Sequence, residues 1–439
     1  MLIFAAIIAF YVAWNLGAND VANSMGTSVG SKALSLKQAL IVAGFLEFLG
    51  AVLFGKEVSS TLATEVVNPE VFSATPALLL KGMIIVMVAS AIWVQVATLK
   101  GWPVSSSHAI VGALAGFSWV AAGRSSVDWS NIKIISITWV LTPVISAIIA
   151  GVFFACIKKW IIEQNEPIQQ LQEWIPWLSS TLVGVFGFLV LPSVLAPAYF
   201  WLINHTSFNL PAHDLTLAVG AGAAVFITFF SWHQLKILSS PLKIQSASNI
   251  NEAKNLIIQP KDTEIKIEKI LAKFQILSAC FVAFAHGSND VGNAIAPLAV
   301  INYIKNTGIV PVDSLQVPLW ILVLGGLGIV AGLAVLGKRV ITTVGEKIIE
   351  LQPSAGFCAE LATATTVLVA SRFGLPVSTS HALVGGVVGV GIVRSFLEGK
   401  KQPEVSGDTL KGIFLGWVVT VPIAAGLSAL IFTIVSRFI

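Results

Sequence analysis

The sequence predicts an all-α polytopic membrane protein, with about 12 hydrophobic segments arranged as two inverted repeats. Three observations carry that expectation. The chain has 439 residues, of which 56% are hydrophobic and only 11% charged, against roughly 25% charged in a soluble domain. Two polar motifs each occur twice, in the same order. Lys and Arg fall unevenly between the segments, which fixes an orientation.

The apolar stretches group as five, two and five. The first five cover 2–16, 36–55, 77–99, 104–121 and 134–157. Two more cover 176–203 and 212–232, and the last five 271–286, 316–337, 355–371, 376–396 and 409–436. Most match the ~20 helical residues that a hydrocarbon core requires. Residues 1–160 then form the first repeat and 271–439 the second. Between them, 161–270 supplies two connecting spans and a polar cytoplasmic loop at about 236–273. Met1 leads directly into Leu2–Trp14, read as a retained first helix. Cys156, Cys280 and Cys358 lie in apolar runs without metal-type spacing. A net charge of +4 is no nucleic-acid signature.

With the amino terminus outside, 19 of the 26 basic residues fall on the cytoplasmic side, seven of them in the 236–273 loop. Both termini are therefore expected outside. Seven crossings precede the second copy, and an odd number turns it upside down. The third and fourth stretches, and the tenth and eleventh, are also read as re-entrant hairpins. Their hinges are Gly101-Trp-Pro103 and Gly374-Leu-Pro376, and the parity stays odd either way.

Gly17-Ala-Asn-Asp-Val-Ala-Asn-Ser24 returns as Gly287-Ser-Asn-Asp-Val-Gly-Asn-Ala294, with five of eight positions identical. Gly17 and the Ala285-His-Gly287 run are read as mid-membrane helix breaks. At each restart Asn19 and Asn23, or Asn289 and Asn293, share a helix face, with Asp20 or Asp290 about 100° round. A carboxylate, amide oxygens and freed carbonyls are hard oxygen ligands for a small cation such as sodium. Simple helix capping is the competing reading.

Pro103-Val-Ser-Ser-Ser-His-Ala-Ile-Val-Gly112 returns as Pro376-Val-Ser-Thr-Ser-His-Ala-Leu-Val-Gly385, with eight of ten identical. Ser105, Ser106 and Ser107, like Ser378, Thr379 and Ser380, set hydroxyls and backbone N–H groups at a helix start, where an oxyanion is stabilised. Capping and hydroxyl-to-carbonyl bonds are the alternative. Neither motif contains Lys or Arg, so a bound anion needs co-bound cations. His108 and His381 either contact the anion, relay protons or lock the hairpins. His286 aligns with Leu16 and is given no role. Glu47 and Glu360 have no acidic counterparts and remain open as additional ion ligands, gates or protonated packing residues. Trp139-Val-Leu-Thr-Pro143 echoes Trp417-Val-Val-Thr420 with Pro422.

The paired Gly-x-Asn-Asp-Val-x-Asn and Pro-Val-Ser-Ser/Thr-Ser-His motifs resemble the signatures of the PiT family of inorganic phosphate transporters, over roughly three quarters of the chain. The resemblance implies an inverted-repeat carrier that moves orthophosphate with sodium or, in other members, with protons or as a metal–phosphate complex. It assigns cations to Asp20, Asn23, Asp290 and Asn293, and phosphate to Ser105, Ser106, Ser107, Ser378, Thr379 and Ser380. It also implies functional acids near Glu47 and Glu360, and a homodimer. Some relatives carry sulfate.

The expectation is thus a secondary active transporter in the cell membrane, a sodium–phosphate symporter with alternating access. It is not an enzyme: Ser107-His108 lacks the acid and oxyanion arrangement of a hydrolase. Sodium is the coupling ion and no other cofactor is implied. Proton-coupled phosphate or sulfate symport and an anion channel are the alternatives.

Overall fold

The computed structural model describes residues 1–100, 102, 104–206, 211–239, 260–312, 315–345, 351–400 and 407–437. The described residues contain no β-strand and fourteen α-helices. In chain order these are α1 Leu2–Gly30, α2 Leu36–Phe54, α3 Lys56–Thr64, α4 Pro76–Lys100, α5 Ser106–Ala122, α6 Trp129–Ile157 and α7 Pro167–Leu189. There follow α8 Leu191–His205, α9 Ala212–Ser239, α10 Pro260–Thr307, α11 Leu319–Gly345, α12 Pro353–Arg372, α13 Thr379–Leu397 and α14 Gly407–Val435.

Ten of them have the length and hydropathy to cross a membrane, and the α7–α8 pair, bent by 65°, adds an eleventh if it forms one span. The remaining apolar stretch is α5, a buried helix of 17 residues. Many apolar side chains of α6, α9 and α14 face outward, including Val140, Phe226 and Phe414, as a lipid-facing surface requires. The segment 240–259, most of the polar loop expected at 236–273, lies outside the described residues. Helix α10 reaches back to Pro260, and its first turns bury Ile267, Ile270 and Leu271.

The expected breaks at Gly17 and Gly287 are absent. Both motifs sit inside continuous helices, α1 of 29 residues and α10 of 48, so no backbone carbonyl is freed there. The glycines serve close helix crossing instead. A Cβ at Gly17 would collide with the Ile329 carbonyl of α11, and one at Gly332 of α11 with the Trp14 carbonyl of α1. The counterpart crossing joins α10 to α2: Gly287 meets the Glu47 carbonyl and Gly50 meets that of Phe284. The sharp bend in the chain lies elsewhere, between α7 and α8.

A second pair of crossings repeats the device. Gly112 and Gly116 of α5 lie on the Val421 and Ala425 carbonyls of α14, while Gly385 and Gly389 of α13 lie on those of Pro143 and Ala147 in α6. In each pair, one copy supplies the glycine and the other the carbonyl. Helices of the two copies are thereby interleaved, with α1 against α11, α10 against α2, α5 against α14 and α13 against α6.

Candidate substrate and ion site

The two serine-rich segments meet in the interior. Ser105 caps α5, its side chain accepting from the His108 N–H, and Ser378 caps α13 by accepting from the His381 N–H, each at 3.3 Å. Capping thus describes the first serine of each run. The next residues are turned to other partners. Ser107 Oγ donates to the Val377 carbonyl at 2.9 Å, joining one tip to the other. Asn293 Nδ2 donates to Ser106 and Ser107 at 3.3 and 3.1 Å. Thr379 Oγ1 donates to Asp290 Oδ2 at 3.2 Å, and its counterpart Ser106 stands beside Asp20. Ser380 pairs with Ser378 at 2.9 Å. All six hydroxyl residues are buried.

His108 and His381 form a crossed lock behind these tips. His108 Nδ1 bonds the Trp417 carbonyl and His381 Nδ1 that of Trp139, each at 3.1 Å. Because a carbonyl only accepts, Nδ1 carries the proton in both rings. The Trp139 carbonyl is available because Pro143, four residues on, has no N–H to offer it. The rings lie tilted against Trp139 and Trp417 at centroid distances of 3.8 and 3.6 Å and meet each other edge-on at 4.7 Å. Trp139 Nε1 also donates to the Pro376 carbonyl at 2.9 Å. Of the sequence's three readings for these histidines, the lock is the one with visible partners. The second hinge turns at Gly374, whose φ of +69° suits glycine. In the first hinge, Gly101 and Pro103 lie outside the described residues.

Beside the tips lie the acids. Asp20 Oδ1 accepts from Asn23 Nδ2 at 3.1 Å. Asp20, Asp290 and His286 each bring a ligand atom within 4.8 Å of the others. His286, aligned with Leu16 and given no role, stands at the centre of this group. Its Nε2 is 2.7 Å from Asp290 Oδ2 and its Nδ1 3.1 Å from Glu47 Oε1, all fully buried. Ser24 Oγ donates to the same Glu47 oxygen at 2.9 Å. Both ring nitrogens face carboxylate oxygens, which an imidazolium satisfies by donating twice. The available signal was local: His286 and Asp290 are four apart, hence neighbours on a helix face.

The asparagines divide. Asn23 holds Asp20 and Asn293 holds the serines. Asn289 Nδ2 is turned to Ser371 and the Leu375 carbonyl, at 3.0 and 3.3 Å, and so ties α10 to the second hinge. Asn19 is half-buried. Oxygens of Asp20 (Oδ2), Glu47 (Oε2), Asn289, Asp290 and Asn293 (each Oδ1) are buried without a hydrogen-bond partner. Hard, orphaned, partly anionic oxygens suit an alkali cation.

Glu360 is apart from this site. Its carboxylate, fully buried, accepts from Thr27, Ser28 and Gln275 at 2.6, 2.7 and 3.1 Å on one oxygen and from Ser278 at 2.8 Å on the other. Thr27 and Ser28 lie about two helical turns along α1 from Asp20.

A model of the phosphate transporter family matches residues 16–428. The chain belongs to that family. It is similar to the chloroplastic inorganic phosphate transporter 2-1 of Arabidopsis thaliana, 38% identical over 99% of this chain and 72% of the relative. A candidate phosphate permease of Thermococcus kodakarensis is 37% identical over 99% of this chain and 97% of its own length. Among solved structures, one described as the sodium-dependent phosphate transporter superposes with a TM-score of 0.83 at 34% identity, covering 100% of this chain and 99% of that one. This member of the phosphate transporter family is therefore a multi-pass membrane protein for phosphate transport, not an enzyme.

Proposed function

We propose that the chain is a sodium–phosphate symporter working by alternating access. The observation that carries this reading is the set of orphaned oxygens on Asp20, Asp290 and Asn293, placed directly beside the two serine-capped helix ends. Phosphate takes hydrogen bonds from Ser106, Ser107, Thr379 and Ser380 and is favoured by the positive ends of α5 and α13. Ser105 and Ser378 hold those ends in shape. With no Lys or Arg in either motif, sodium at Asp20 and Asp290 offsets the anion's charge, so each solute raises the other's affinity. The similar solved structure described as sodium-dependent supports the choice of ion.

Within this reading, 1–160 and 271–439 are inverted repeats, and their hairpins enter from opposite sides so that the tips meet at mid-membrane. Both termini face outward across the cell membrane, and the chain works as a homodimer. Glu360 is a further ion ligand or gate.

One observation favours proton coupling instead: His286, held between Glu47 and Asp290, occupies oxygens that a second sodium would use. Binding calorimetry on purified protein tests the main reading. Phosphate should bind more tightly in sodium than in potassium salts, and sulfate weakly in both. Protonated phosphate can donate a hydrogen bond to an Asp or amide oxygen, while sulfate leaves that acceptor unpaired. Equal phosphate affinity in both salts would favour the proton.

A further inference from the structure

Helices α10 and α12 run side by side and parallel, joined by polar pairs that climb both helices in the same order. Glu264 Oε1 accepts from Gln352 Nε2 at 3.2 Å, and Glu268 takes both the N–H and the hydroxyl of Ser354, at 2.8 and 2.7 Å. Further along, Gln275 and Ser278 donate to Glu360, and Asn289 donates to Ser371. From Glu268 to Gln275 is about 10 Å along a helix, and from Ser354 to Glu360 about 9 Å. The lower contact is therefore in register with the upper one. Gly356 lies between them on α12, where a Cβ would collide with the Gln275 amide, so the helices are tightly packed there. At the offsets that relate the copies, the first copy has Ala5, Ile8 and Met87 in place of Gln275, Ser278 and Glu360. The pairs that hold Glu360 have no counterpart in it.

We infer that Glu268 is a positioning residue for phosphate transport: by fixing the first turn of α12 against α10, it sets the height of Glu360 among its donors. This rests on reading Glu360 as an ion ligand. The cap comes from outside the helix it serves. Gln352 stands at the N-cap of α12 but makes no side-chain cap bond. A serine or aspartate at that position would satisfy the orphaned N–H groups locally. Here a carboxylate of another helix does so, favoured by the positive helix end. A cap supplied across a helix pair fixes helix against helix as well as the turn itself. The register it fixes carries Glu360. One Glu360 oxygen collects donors from two other helices, Thr27 and Ser28 of α1 and Gln275 of α10. Gln275 Oε1 in turn accepts from Ser31 at 2.7 Å. Any shift of α12 along α10 changes these bonds together.

The test is labelled phosphate uptake into proteoliposomes as a function of sodium concentration, with thermal unfolding of each purified variant. Glu268→Ala should raise the sodium concentration for half-maximal uptake by about fivefold, the scale of losing one helix cap, and leave the maximal rate per folded transporter within about twofold. Glu268→Gln, whose amide accepts from the Ser354 N–H and donates to its hydroxyl, should stay within about twofold of the parent. Adding Gln352→Ser to Glu268→Ala gives α12 a cap of its own. The melting temperature should then recover while the sodium shift remains. If Glu268→Ala alone is unfolded, this double variant carries the comparison. Recovery of the sodium dependence together with stability would reduce Glu268 to a helix cap and overturn the inference, as would an unchanged sodium dependence in Glu268→Ala. Glu360→Gln separates the two readings. A shift there without one in Glu268→Ala overturns the positioning role alone. No shift in Glu360→Gln removes Glu360 from ion binding and the positioning role with it.

Discussion

The two serine-capped helix ends and the two aspartate motifs arose in the same pair of copies, yet they differ in how far the copies match. At the helix ends, the caps and the histidine lock have twins. Ser105 and Ser378 cap identically, and His108 and His381 bond each other's copy at the same 3.1 Å. At the acids the twins part. Asp20 has Asn23 beside Ser106, whereas Asp290 has His286 beside Thr379, and Glu47 joins through His286. A cradle for a tetrahedral oxyanion can be built from two equal halves. The charges that offset it are held unequally, so the two carboxylates are not interchangeable.

The largest expected effect tests what the acids share. Asp20→Asn and Asp290→Asn keep size and remove charge, and each should lower phosphate uptake by roughly 100-fold or more, on the scale of losing one partner of a buried charge pair. Near-normal sodium-dependent uptake in both variants would remove the aspartates from the ion site.

What the acids do not share is sharpened by His286→Leu, which restores the first copy's residue. It leaves Glu47 and Asp290 without their common partner, so stability should fall by about 3–5 kcal/mol and uptake by about tenfold or more. Calorimetric unfolding and vesicle uptake read the two separately. Unchanged values in both would make the asymmetry incidental.

A smaller effect tests the equivalence of the helix ends. Exchanging Ser106→Thr together with Thr379→Ser swaps hydroxyl residues between the copies and should change phosphate affinity less than about twofold. Thr379→Ala alone removes a hydroxyl bonded to a carboxylate and should cost about tenfold in affinity. If the exchange costs as much as the deletion, the two ends are not equivalent halves.

Much of this was legible in the sequence because duplication is visible as text. The paired motifs marked the tips, the acids and the Trp139 and Trp417 echoes, and the apolar lengths gave the spans. Two features were not legible, for physical reasons. Gly17 and Gly287 read as helix breakers because glycine has low helix propensity, yet whether a glycine ends a helix or admits a neighbour depends on what crosses it. His286 was set aside because it lacks a twin. The rule that found the symmetric half of the site was blind to the asymmetric half, whose partner Glu47 is distant in sequence.

The smallest effect lies outside the spans. Lys158 and Lys400, against Glu398 at 2.6 and 2.8 Å, hold its carboxyl down at about 2. A depressed carboxylate contributes stability above its unfolded pKa and loses it as pH falls toward the folded value. Glu398→Gln should therefore lower the melting temperature slightly at neutral pH, and the gap should narrow as pH falls from 5 toward 3. A gap that widens on acidification would contradict this pairing.

Uptake of labelled phosphate into proteoliposomes, with sodium and pH gradients imposed separately, tests the central claim most directly. An inward sodium gradient at equal pH should drive phosphate accumulation, and an inward proton gradient in potassium salts should not. Accumulation driven by the proton gradient without sodium would contradict the assignment of sodium to Asp20 and Asp290 and move the coupling to His286 and its carboxylates.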